Sequence, residues 1–100
     1  MIIEAKEYLQ VGYKPELFES VVNLYGYRVN KTAVDPYPTH SKYWQPQVMQ
    51  KHHIYVESFI NFARYIPNKY EIIHFTFTPT EYEYRLAERL LEKDGQIIFA

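Results

Sequence analysis

Four histidines, His40, His52, His53 and His74, with the carboxylates Asp35 and Glu57, are the residues whose types could do chemistry. Imidazole and carboxylate groups together are common ligands of a transition metal. Their spacing limits them. On a helix over residues 47–66, His52 and His53 diverge by about 100° and cannot readily chelate one ion together. His53 and Glu57 lie four apart and would share a helix face, a spacing that suits a metal and equally suits an ordinary surface pair. They are kept as an alternative metal pair, which with His40 or His74 would serve a metal-dependent phosphodiester hydrolase. Glu4-Ala5-Lys6 places a carboxylate beside a lysine on a predicted strand, as a Mg²⁺-dependent phosphodiester site does. The acidic residue that such a site takes from a preceding strand is missing, and the reading is not adopted.

Other catalytic classes find no residues. The chain has no cysteine, which removes disulfides and thiolate catalysis, and three glycines cannot compose a phosphate-cradling loop. Ser20, Ser41 and Ser58 sit in no nucleophile elbow. No catalytic residue and no cofactor are assigned.

Composition points elsewhere. Aromatic residues make up 18% of the 100 residues, eleven of them tyrosine. The formal charge of −1 conceals a segregation. Residues 27–69 carry Arg28, Lys31, Lys42, Lys51, Arg64 and Lys69 against Asp35 and Glu57, a net +4, while the segments before and after sum to −2 and −3. Within the basic segment, Asp35-Pro-Tyr-Pro-Thr-His-Ser-Lys-Tyr-Trp-Gln-Pro46 reads as a loop, because three prolines and several turn formers deny it regular structure. Rings flanked by cations suit stacking on bases along a phosphate backbone, and they equally suit a protein–protein hot spot.

The elements that must hold these residues follow from periodicity. Residues 2–11 alternate, with Ile3, Ala5, Leu9 and Val11 on one side and Lys6, Tyr8 and Gln10 on the other, which predicts a half-buried strand closed by Gly12. Pro15 opens a helix with Gly26 as its C-terminal stop. Residues 27–34 form a second strand. Pro46 opens a long helix over 47–66, whose outer side includes Lys51, Ile54 and Tyr65. Residues 70–78 are a strand with Ile73, Phe75 and Phe77 inward. Thr80 and Glu83 form a capping box for a helix running to about Asp94. Gln96-Ile-Ile-Phe-Ala100 is an apolar strand of the kind covered on both sides.

The expected architecture is a single small α/β domain (α+β being the near variant), β-α-(β)-α-β-α-β. It has a mixed sheet, helices mainly on one face and a C-terminal βαβ unit. The one-sided polarity of the first strand favours two layers over three. The expected function is a small non-enzymatic binding or regulatory protein that engages a macromolecular partner, a protein or a single-stranded nucleic acid. Tyr37, His40, Lys42, Tyr43, Trp44, Lys51, Ile54 and Tyr65 are the expected contact residues. Self-association into a homodimer is an expectation from the basic middle and acidic C-terminal segment. No apolar run reaches transmembrane length and Met1-Ile2-Ile3 meets Glu4 at once, so a cytoplasmic chain without membrane contact is expected.

Overall fold

The computed structural model describes residues 5–21, 23–24, 27–37, 53–67 and 69–99. Along the chain come β1 (Ala5–Val11), α1 (Pro15–Ser20), β2 (Asn23–Leu24), β3 (Tyr27–Val34) and β4 (Ile54–Tyr55). They are followed by α2 (Phe59–Tyr65), β5 (Tyr70–Phe75), α3 (Glu81–Arg89) and β6 (Leu91–Phe99). The content is mixed α/β, as expected.

One six-stranded sheet organises the molecule. β1 lies at its centre, paired in parallel with β3 on one side and with β5 on the other. β5 pairs in parallel with β6, and the outer edge of β3 takes β4 in parallel and β2 antiparallel. The parallel strands thus run in the order β4-β3-β1-β5-β6. The chain moves outward from β1 in one direction, then crosses to β5 and moves outward in the other. This is a doubly wound arrangement, with its switch point between β1 and β5. β5, α3 and β6 are the expected C-terminal βαβ unit.

Both faces of the sheet are covered. Leu9, Val11, Val34, Ile73 and Phe75 meet Phe59 and Phe62 of α2 and Ala87 of α3. The alternate residues Tyr8, Ala33 and Ile72 meet Phe18 of α1, with Tyr13 and Ile54 completing the cluster. Of the three helices among the described residues, two share a face, so these helices are mainly on one side. The two-layer expectation nevertheless gives way, because Tyr8 and Gln10, assigned to the wet side of β1, are buried beneath α1. A tyrosine and a glutamine look polar in a sequence, yet both can be buried once each polar atom finds a partner.

Three boundaries differ from expectation. The first helix ends at Ser20, where the β-branched Val21 is already extended. The long helix over 47–66 is corrected: residues 47–52 lie outside the described ones, Ile54–Tyr55 is a strand, and the helix occupies only Phe59–Tyr65. Ser58 starts it by accepting a hydrogen bond from the Asn61 amide. The last helix opens with the expected capping box of Thr80 and Glu83 but stops at Arg89. Leu91 already pairs with Tyr70, and the register then slips before Ile72 meets Gln96. Asp94 takes φ +69° in that bulge. β6 is a sheet edge rather than a doubly covered strand, and Ile98 and Phe99 are 41% and 50% exposed.

Candidate functional site

In a doubly wound sheet the connections diverge beyond the carboxyl ends of the strands at the switch point, leaving a crevice there. This protein has one of about 500 Å³. Its walls are the residues leaving β1 (Gly12, Tyr13, Lys14), β3 (Asp35, Pro36, Tyr37) and β5 (Thr76, Phe77). Ser58 and Phe59 close one side.

Backbone requirements explain several of these residues. Gly12 turns the chain out of β1 with φ +87°, a conformation that carries little cost only for glycine. A Cβ there would stand 2.3 Å from Thr76 Oγ1. That hydroxyl donates to the Gly12 carbonyl at 2.9 Å, while the Thr76 amide donates to the Val11 carbonyl at 3.0 Å. Asp35 fastens the other wall: its carboxylate accepts from the Tyr13 amide at 3.0 Å and from the Tyr37 amide at 2.8 Å. Charge-assisted bonds of this kind hold both chain exits in one place. Tyr37 consequently projects from a fixed root and is 72% exposed.

Beneath the crevice, on the α1 side, runs a buried polar chain. The Lys14 amide donates to Gln10 Oε1 at 2.8 Å, and Gln10 Nε2 donates to the Tyr8 hydroxyl at 3.2 Å. The Tyr8 hydroxyl meets His74 Nδ1 at 2.8 Å. Burial raises the Tyr8 phenol, opposed by the Gln10 bond. Burial lowers His74, and the Lys14 charge lowers it further.

The expected site residues divide. Tyr37 stands at the mouth of the crevice. His40, Lys42, Tyr43, Trp44 and Lys51 lie outside the described residues. Ile54 is corrected from a contact residue to a core residue, because β4 pairs with β3 and turns it beneath the sheet. Tyr65 is exposed on α2, away from the crevice, and donates its hydroxyl to the Glu57 carboxylate. That bond, more than burial, pushes the phenol up to about 12. The His53–Glu57 pair is also corrected. His53 takes φ +52° ahead of β4 and Glu57 precedes α2, so no helix face joins them. Glu57 instead accepts from Asn61 Nδ2 at 2.7 Å as well as from Tyr65. Among the described residues no three His, Asp or Glu side chains are grouped to hold a metal ion.

Of the basic segment, Arg28, Lys31 and His53 line a separate recess of about 620 Å³ shared with Glu7 and Tyr70. Arg64 and Lys69 lie together beside α3. The described cations of that segment do not gather at the crevice. Gly12, Lys14, Thr76 and Phe77 were not singled out as functional by sequence. The available signal was a glycine closing the first strand of a parallel sheet, which gains meaning only when β1 is known to be central.

The fold and crevice define the class: a small doubly wound α/β domain with a recess at its switch point. The chain matches no family model, no curated protein and no solved structure. Among the described residues no helix is long and apolar enough to cross a membrane.

Proposed function

We propose that the protein is a non-catalytic binding module that receives a segment of a partner protein across the switch-point crevice, with Tyr37 and Phe77 as its principal contacts. The observation that carries this reading is Tyr37, a highly exposed ring on a root locked by Asp35. A large ring presented without freedom to collapse is what a protein hot spot needs, since little order remains to be imposed on binding. Phe77 adds a second partly exposed ring to the same recess. Charge favours a protein over a nucleic acid: the described ionisable residues lining the crevice are Lys14, Asp35, Glu83 and the tyrosines, with no excess of cations for a phosphate backbone.

Photocrosslinking tests the reading. A benzoylphenylalanine in place of Tyr37 is expected to capture one discrete partner from the source cells, with capture abolished by excess unmodified protein. The same group in place of Tyr82, an exposed residue of α3, is the control and is expected to capture nothing discrete. Equal capture from both positions overturns the assignment. Salt-sensitive binding of a single-stranded oligonucleotide, lost in Tyr37→Ala, would replace the protein partner by nucleic acid.

A further inference from the structure

We propose that the recess over β1 and β3 on the α2 side binds a small zwitterion of the amino-acid kind, its ammonium group on Glu7 and its carboxylate on Arg28. The site is separate from the switch-point crevice and does not rest on the function proposed there.

Ala5, Leu9 and Val11 make one side of β1 apolar, and Glu7 alone interrupts that side. Leu9 and Val11 belong to the core beneath α2, so the alternation of the strand turns Glu7 to the same face. On β3, Asn30 is the register partner of Glu7 and Thr32 that of Leu9, and both share the face of buried Val34. Tyr55, Ile66 and Tyr70 border the same core cluster. With Glu7, Asn30 and Thr32 they line the recess of about 620 Å³.

Two oxygens of this recess are buried and unanswered. Glu7 Oε2 and the Tyr70 hydroxyl are both shut off from solvent, and neither has a hydrogen-bond partner among the described residues. Tyr70 is wholly buried. A buried carboxylate oxygen without a donor is costly, and a cation that donates to it relieves the cost. Tyr70 stays a neutral phenol, because burial and then the Glu7 charge raise it, opposed by Thr32 nearby. An ammonium group carries three N–H donors, enough for the Glu7 carboxylate and the Tyr70 oxygen together.

The cations around the recess decide what else the ligand carries. Lys31 lines it, but its ammonium is spent on the α1 side, donating to the Phe18 carbonyl at 3.0 Å and lying 5.0 Å from the centre of that ring. Arg28 and His53 line it as exposed residues, and Arg28, two before Asn30, is on the Asn30 face of β3. No ion pair joins Arg28 to Glu7 among the described residues. A buried acid beneath an exposed base is the charge order of a zwitterion that enters ammonium first. A simple amine would leave Arg28 unanswered, and a simple acid would be repelled by Glu7.

The test follows amide nitrogen–proton correlation spectra of the full chain, titrated at constant ionic strength with γ-aminobutyrate, butylamine or butyrate. γ-Aminobutyrate is expected to shift the Glu7, Asn30 and Tyr70 amides saturably, butylamine to bind about tenfold more weakly, and butyrate not to bind. Glu7→Gln is expected to weaken both amines by about tenfold or more. Arg28→Ala is expected to bring γ-aminobutyrate down to the affinity of butylamine while leaving butylamine unchanged. Tyr70→Phe keeps the core ring and is expected to weaken both amines about fivefold, the loss of one neutral hydrogen bond. γ-Aminobutyrate binding no tighter than butylamine or butyrate overturns the proposal, as do shifts that never saturate or an affinity unchanged in Glu7→Gln.

Discussion

His74 ties stability to pH through a single side chain. Burial and the Lys14 charge hold its folded-state pKa below the ordinary 6.5, at which it would titrate in the unfolded chain. Between those two values the unfolded state binds the extra proton, so stability rises with pH there. The contribution is complete above about pH 6.5 and is lost as pH falls toward the folded value. The melting temperature is expected to decline on acidification below that point, and less steeply in His74→Gln; superimposable profiles would refute the account. Gly12 is a second residue with a measurable consequence. Gly12→Ala forces an alanine into φ +87° and drives its Cβ against Thr76 Oγ1. Strain and the disturbed Thr76 bonds together are expected to cost about 2–3 kcal/mol in chemical denaturation. Thr76→Ala in the same chain should recover part of that, as expected for sites in contact.

At the scale of elements, the helix around residue 58 shows how a periodic pattern can mislead. Tyr55, Val56, Phe59, Phe62 and Ala63 recur as one helix face would, yet Tyr55 reaches the same core from a strand, its ring 5.2 Å from that of Phe62. Only the second half of the pattern is helical. Ser58 discriminates between the two arrangements by sign. As the N-cap of α2, Ser58→Ala is expected to destabilise the protein by about 1 kcal/mol. Within a helix spanning 47–66 the same change would stabilise slightly, because alanine is the better helix former. Equilibrium urea unfolding reads the difference directly. The start of α3 was legible because its signal is local: Thr80 and Glu83 satisfy each other's backbone amides. Its end was not. Arg89 is followed by a C-cap at Leu90 and a strand beginning at Leu91, set by pairing with Tyr70 across the sheet.

For the whole molecule, the decisive fact is that the sheet is covered on both faces. Phe18 is fully buried and packs near the Tyr8 and Tyr13 rings, with centroids 6.4 and 5.4 Å away. Phe18→Ala is therefore expected to cost about 3–5 kcal/mol, the loss typical of a core ring. A two-layer molecule with its second face in water would lose far less, and the denaturation midpoint separates the two. The sequence by itself determined mixed α/β content, most of the strands and the starts of two helices. Alternation, Pro15 and the Thr80 capping box are written within a few residues and act within a few residues. It also marked Tyr37 as part of an aromatic segment that composition alone could not assign. Only the tertiary structure decided that β1 is central and that Tyr8, Gln10 and His74 form one chain. It also set Ile54 in the core, left β6 as an edge and brought Gly12, Asp35 and Thr76 to one crevice. Each of these depends on which strand lies beside which, and strand neighbours are chosen by burial and hydrogen bonding between segments far apart in the chain, where no local pattern records the choice.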